Sequence, residues 1–280
     1  MRTSWYKARV LDADGGEKMT LEKKVYIVGA GPGDPDLITV KGLRILEAAD
    51  VILYTDSLVQ DALIDKAKQS AEIVKTSGLT LDEMVDIMND RVKNGKSVAR
   101  VHTGDPAIFG AILEQMVLLH KAGVEYEIIP GVSSVFAAAA VLGVELTVPN
   151  LTQTVILTRV EGRTPVPERE KLRSLAEHHC TIALYLSAVQ AKKAVSEFYE
   201  AGWQPNTPVA VVQRATWPDQ KIIRTTLENL VHDMGSEHIS THAIILAGHA
   251  LEPDLHERDE HRSKLYDKTF THRYRKGIRA

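Results

Sequence analysis

Cysteine is almost missing from this chain of 280 residues, where Cys180 stands alone. A single thiol excludes an intramolecular disulfide framework and any multi-thiolate zinc site, and it fits a reducing, cytosolic compartment. Charge of one sign is not in surplus either. Lys plus Arg number 34 and Asp plus Glu 37, a formal charge of −3. No global field draws in a phosphate backbone, so a dedicated nucleic-acid binder is not expected. Long hydrophobic runs are absent, and nothing approaches the roughly 18–20 apolar residues that span a bilayer. Residues 1–24 are mixed and charged, without the apolar centre of a signal peptide. A cytoplasmic protein with no membrane partner is expected, with residues 1–23 an extension ahead of the fold. The adjacent His178 and His179 would point to different faces of one element, and no protein-bound metal is expected.

What is present suits a globular enzyme. Hydrophobic residues make up 44% and charged residues 25%, enough to bury a full core. At about 100–200 residues per domain, the length implies two domains. The first half alternates β-rich runs at 25–29, 51–54, 72–75, 97–101 and 126–129 with helical patterns at 40–49, 62–68, 81–93 and 108–121. In 81–93 the apolar stripe is Leu81, Met84, Val85, Met88 and Val92, at helical spacing. Such alternation predicts a parallel sheet covered by helices, with ligands at the carboxyl ends of its strands. A small-residue helix at 134–142 precedes the breaker Pro149-Asn150. Strands at 154–158, 181–186, 209–213, 222–226 and 243–247 follow, and Trp217-Pro218-Asp219 marks a hairpin. The expectation is an α/β protein of two α/β domains, 24–148 with a parallel sheet and 149–251 with a mixed sheet, a ligand cleft between them, and a charged tail at 252–280.

Three turns carry the chemistry. Gly29-Ala30-Gly31-Pro32-Gly33-Asp34-Pro35 follows the first strand of this pattern, and its glycines let a ligand approach the backbone. A dinucleotide fingerprint would need glycine where Asp34 stands. A phosphate loop would need Gly-Lys-Ser/Thr, and Pro32 lacks the N–H that a phosphate cradle uses. The turn fits a ligand without phosphates. Thr103-Gly104-Asp105-Pro106 offers a carboxylate that either caps the next helix or accepts hydrogen bonds from a ribose or amino group. Pro130-Gly131-Val132-Ser133-Ser134 is no nucleophile elbow, because Val135 stands where the second glycine would be. The doubly wound logic places all three turns on one rim of the sheet.

The runs VYIVGAGPGDPDLITVKG, HTGDPAIFGA and PGVSSVFAAAA resemble the tetrapyrrole methylases, S-adenosylmethionine-dependent enzymes of corrin and sirohaem biosynthesis. LTQTVILTRVEGRTPVPE, ALYLSA and QRATWPDQKIIRTTL are similar to one branch of that family, the enzymes that methylate C-11 of precorrin-4 or cobalt-precorrin-4. The resemblance covers residues 24–250 and implies a homodimer with S-adenosyl-L-methionine as methyl donor, S-adenosyl-L-homocysteine as product and a precorrin as substrate. It implies donor contacts from Pro32, Thr103, Gly104, Asp105, Ile108, Ser133, Ser134, Leu186, Ala215 and Ala243. Asp56 and Lys75 stand nearest to an aspartate and a lysine that assist proton handling in relatives, and with Asp105 they are the catalytic candidates. Other ring methylations of the family, uroporphyrinogen III included, and macromolecular methylation of the diphthine or ribosomal-RNA kind are the alternatives.

The residues agree with the chemistry that the resemblance implies. In-line transfer of a methyl from a sulfonium to carbon gains from positioning and water exclusion rather than from a covalent intermediate, and the chain shows no nucleophile–base triad. A substrate with several acetate and propionate carboxylates calls for scattered cations. Arg100, Arg159, Arg163, Arg214, Lys221 and Arg224 are the candidates, with His102 and His249 as further substrate contacts.

Overall fold

The structure, a computed structural model, describes residues 9–11 and 17–278. Two short strands, β1 (Arg9–Leu11) and β2 (Glu17–Met19), pair antiparallel within the expected extension. The chain divides into two compact units, Met1–Ala137 and Ala138–Ala280, and the division falls inside a helix upstream of Pro149-Asn150.

In the first unit β3 (Val25–Gly29), β4 (Val51–Tyr54), β5 (Glu72–Lys75), β6 (Val98–His102) and β7 (Tyr126–Ile129) form one parallel sheet in the order β5-β4-β6-β3-β7. Its central strands are buried along their whole length because helices cover both faces. Tyr26 and Val28 pack with Ile45 and Leu46 of α1 (Val40–Ala48) and with Leu63 and Ile64 of α2 (Asp61–Ile64). Val25 and Ile27, on the opposite face, pack with Val85 and Met88 of α3 (Leu81–Lys93) and Leu119 of α4 (Ile112–Lys121). Thr39 caps α1 through the Gly42 N–H, and Thr80 with Glu83 closes a capping box on α3. The small-residue helix is α5 (Ser134–Leu142).

The second unit holds β8 (Val155–Thr158), β9 (Thr181–Leu184), β10 (Pro208–Gln213), β11 (Lys221–Thr226) and β12 (Ala243–Ala247), in the order β11-β10-β12-β9-β8. Only the β8–β9 pair is parallel, so the sheet is mixed as expected, and β10 and β11 form the hairpin around Trp217-Pro218-Asp219. Its core combines Ile182, Leu184, Val209, Val211 and Ile245 with α6 (Leu172–Ala176), α7 (Ala191–Glu200) and α8 (Leu230–Ser236). Trp203 packs on Phe198 at 4.5 Å between ring centroids and donates its indole N–H to the Ala176 carbonyl. Among the described residues no helix is long and apolar enough to cross a membrane.

Several expected boundaries move. The helical pattern at 108–121 becomes helical only from Ile112, because Phe109 and Ala111 take positive φ and the chain folds back on Pro106. The strand at 181–186 ends at Leu184, since Leu186 lies in the left-handed region at φ +53°. The helix expected at 62–68 shrinks to the single turn of α2.

Charged clamps fasten the amino ends of the parallel strands. The Asp50 carboxylate, just before β4, takes the Lys68 and Lys23 ammonium groups and the N–H and hydroxyl of Ser97, just before β6. Burial would raise the Asp50 pKa, but these partners together hold it well below the usual carboxylate range. Glu72 at the start of β5 accepts two hydrogen bonds from the Arg91 Nε and one from its Nη2, and one from Lys96, and these cations pull it down to about 2. A folded pKa below the unfolded one gives stability that is complete above the unfolded value and lost as the pH falls through the folded one. Asp50→Asn is expected to destabilise the protein by about 1–2 kcal/mol at pH 7. Urea unfolding should show that deficit shrinking below about pH 4, near the unfolded aspartate value; a deficit constant down to pH 3 would contradict the clamp.

Candidate functional site

The carboxyl ends of β3 and β6 lie side by side, and the crossover connections leaving them run to opposite sides of the sheet, β3 toward β4 and β6 toward β7. This is a switch point, where open α/β sheets leave room for a ligand. The three glycine-rich turns meet there. Gly31 donates to the Gly104 carbonyl at 3.2 Å, and Gly104 donates back to Gly31 at 2.8 Å. Both glycines take positive φ, +81° and +60°. A Cβ on Gly131 would sit 2.1 Å from the Gly104 oxygen, and one on Gly29 would sit 2.6 Å from Gly131 Cα. The turns approach this closely only because Gly29 and Gly131 carry no side chains.

Asp105 welds two of the turns. Its Oδ1 accepts the Ala107 N–H at 2.8 Å, and its Oδ2 accepts the Gly131 N–H at 2.9 Å. The helix cap weighed from the sequence is not formed, because α4 begins only at Ile112 behind Ala111; the carboxylate joins two turns instead, and each oxygen keeps a second lone pair for a ligand. Around the junction Pro32 and Ser133 are buried, Ile108 is half-buried and Thr103 is exposed. Ser134 opens α5, and Gln60 holds the first turn from outside by donating to the Gly33 carbonyl.

Asp56 and Lys75 stand on the same rim, at the ends of the paired strands β4 and β5. The Ser77 side chain hydrogen-bonds the Asp56 carboxylate and the Ser77 N–H donates to its Oδ1; the side-chain bond first, then the backbone bonds and the Lys75 charge beyond them, keep the carboxyl below its ordinary pKa. Asp56 is thus an ionised acceptor at neutral pH. Inward from this pair, on the α4 side of β6, Arg100 and His102 are buried. Burial pushes the Arg100 guanidinium down to about 10 and, with the neighbouring Arg100 charge, the His102 imidazole down to about 3. Both lie in the protein interior, not on an exposed substrate-facing surface. Thr55, Thr76 and Gln115, which surround Arg100, went unnoticed because they come from different strands and a helix; the visible signal was a charge inside the apolar run VARVH.

In the second unit the structure gathers Leu186, Ala215 and Ala243 on one edge. Leu186 lies just past β9, Ala215 just past β10, and Ala243 opens β12 opposite Gln213. Leu186 is exposed, while Ala215 is buried between Arg214 and Thr216, both at positive φ. Most of the remaining cationic candidates are occupied locally. Arg159 donates to the Thr164 and Pro165 carbonyls, and Arg224 to the Leu142 carbonyl. Arg214 pairs with Asp219 over the Trp217 ring, Lys221 pairs with Glu237, and His249 pairs with Glu252. Arg163 is exposed.

Comparison with known proteins adds names to this geometry. Residues 24–231 match the family model of the tetrapyrrole (corrin/porphyrin) methylases. The chain is 63% identical to a cobalt-precorrin-4 C(11)-methyltransferase of Priestia megaterium over 257 residues, 92% of this chain and 99% of the relative. It superposes at a TM-score of 0.81, with 63% identity, on the X-ray structure of a cobalamin biosynthetic enzyme, cobalt precorrin-4 methyltransferase, covering 82% of this chain and 97% of that one. A uroporphyrin-III C-methyl transferase from Thermus thermophilus, complexed with S-adenosylhomocysteine, matches at a TM-score of 0.70 and 27% identity, over 82% of this chain and 93% of that one.

Gly131→Ala is expected to destabilise the protein by about 3 kcal/mol or more, because the methyl group meets a rigid backbone carbonyl. Gly78→Ala, where a Cβ meets open space, should stay within about 0.5 kcal/mol of wild type. Equal melting temperatures for the two variants would contradict the close approach of the turns.

Proposed function

The chain belongs to the tetrapyrrole (corrin/porphyrin) methylases, and from that premise we propose that it transfers a methyl group from S-adenosyl-L-methionine to ring carbon C-11 of cobalt-precorrin-4, or of precorrin-4, during assembly of the corrin ring of cobalamin. The observation that carries this reading is the identity to the Priestia enzyme along nearly the full length of both chains. A homodimer acting in the cytoplasm completes the proposal. The family resemblance supports the first point and the scarcity of cysteine the second.

The residues present suit the donor. The contacts of Gly29 and Gly131 leave no room for side chains at those two positions, so a ligand there meets backbone. Pro32 removes an N–H that a phosphate would want. Thr103, Gly104, Asp105, Ile108, Ser133 and Ser134 would hold the donor, and the family resemblance also implies Leu186, Ala215 and Ala243 as donor contacts. The donor supplies an electrophilic methyl on a sulfonium, whose positive charge is lost as the carbon–carbon bond forms. The protein therefore contributes position and dryness more than charge. Asp105, with both oxygens on backbone N–H groups, keeps the platform in shape. Asp56 is the proposed acceptor of the proton that the ring loses, with Lys75 holding its charge.

Incubation with S-adenosylmethionine and separate tetrapyrroles, read by mass spectrometry, should add one methyl group at the precorrin-4 level only; a methyl on uroporphyrinogen III would overturn the branch assignment. Asp56→Asn should lower kcat by about 10²-fold or more with unchanged affinity for S-adenosylhomocysteine. An unchanged kcat would remove Asp56 from the reaction.

A further inference from the structure

Arg100 is a buried cation without a counter-ion. It is 4% exposed, and among the described residues no carboxylate is in ion-pair contact with it. Its neighbours are neutral and distant: Gln115 Oε1 at 3.4 Å from Nε, the Val101 carbonyl at 3.2 Å and Thr76 Oγ1 at 3.4 Å from Nη1, and Thr55 Oγ1 at 3.5 Å from Nη2. These bonds sit at or beyond the long end of the normal range, where a charged donor to a charged acceptor would be short. Two residues along the same strand face, His102 is neutral and cannot balance the charge, and its Nε2 is buried without a hydrogen-bond partner.

Such an arrangement is a poor way to stabilise a fold. A buried charge is tolerated when paired, and an apolar side chain of similar size would pack better than an unpaired guanidinium. Apart from the exposed Arg163, the other cations considered for substrate binding have local partners. Arg100 is different, and it lies just below the rim that carries Asp56 and Lys75. Its Nη2 faces the hydroxyl of the half-buried Thr55, which is 3.4 Å from the Thr76 hydroxyl. Thr76 spends its proton on the Tyr54 carbonyl at 3.1 Å, so the guanidinium and the Thr55 hydroxyl form the donor set for one carboxylate.

We infer that Arg100, flanked by Thr55 and Thr76, is a positioning residue that anchors a carboxylate carried by a bound reactant. The inference rests on the methyltransferase reading, because two reactants of that reaction carry the group: the tetrapyrrole through its acetate and propionate side chains, and the donor through its methionine end. The anchor is charged and dry before the reactant arrives, so the carboxylate completes an ion pair that the protein alone leaves open. A single anchored side chain fixes the register of a ring whose edge repeats similar groups.

The test compares wild type with Arg100→Met and Arg100→Lys by three readouts: melting temperature, calorimetric affinity for S-adenosylhomocysteine, and kcat and KM for cobalt-precorrin-4. Arg100→Met is expected to be at least as stable as wild type and to lose about tenfold or more in affinity for one reactant, the worth of one charged hydrogen-bonded contact. Arg100→Lys should recover part of the loss. A loss confined to KM for cobalt-precorrin-4 assigns the carboxylate to the ring, and a loss confined to S-adenosylhomocysteine assigns it to the donor. A melting temperature several degrees lower, with both affinities within twofold of wild type, would overturn the inference and make Arg100 a structural residue. Wild-type protein that neither binds S-adenosylhomocysteine nor methylates any tetrapyrrole would instead sink the methyltransferase reading, while the melting temperature of Arg100→Met would still show whether the guanidinium serves the fold.

Discussion

The carbonyl oxygen of Gly104 occupies space that a side chain on residue 131 would fill, and Gly29 lies against the same two residues. That crowding of backbone on backbone is the constraint on which the first unit depends. It draws the ends of β3, β6 and β7 together at the point where the crossover connections part. Gly31 and Gly104 meet it at positive φ, and it puts the Gly131 N–H within reach of Asp105. The residue types in the three motifs follow from these contacts: glycine where chains touch, aspartate where two turns need a common acceptor, and proline where an N–H would be surplus.

The two ends of the parallel sheet treat charge in opposite ways. At the amino end Asp50 and Glu72 are saturated by Lys68, Lys23, Arg91 and Lys96, so neighbouring strands are fastened by satisfied ion pairs. Toward the carboxyl end Arg100 is buried among neutral groups, and Asp56 is held by the neutral Ser77. Stability is concentrated away from the reacting surface, and unsatisfied polar capacity is kept beside it. Proteins break local rules of this kind where a ligand completes the arrangement. The near-neutral charge of the whole chain fits that economy, because cationic character is needed at one place rather than over the surface.

Much of this was readable in the sequence. The five parallel strands and α3 follow from alternation of apolar runs and helical stripes, and the hairpin at Trp217-Pro218-Asp219 from turn chemistry. The common rim of the three turns follows from topology alone. Two kinds of feature were hidden. Backbone conformation at Phe109, Ala111 and Leu186 defeats period counting, because nothing in these residue types announces positive φ. Helix α7 shows the opposite failure: Ala191, Ala194 and Phe198 keep helical spacing, yet short charged segments between strong strands draw little notice. Among site residues, Arg100 stood out as a charge in an apolar strand, but its loneliness is a property of three dimensions. So is the placing of Thr55 and Thr76, which adjacent strands β4 and β5 bring to one point.

The central claim is that the glycine junction receives a sulfonium donor and refuses phosphates. Calorimetric titration of the purified protein with S-adenosylhomocysteine and, separately, with ATP tests it most directly. One S-adenosylhomocysteine bound per chain, with no heat of binding from ATP, is the predicted result; binding of ATP in its place would contradict the account.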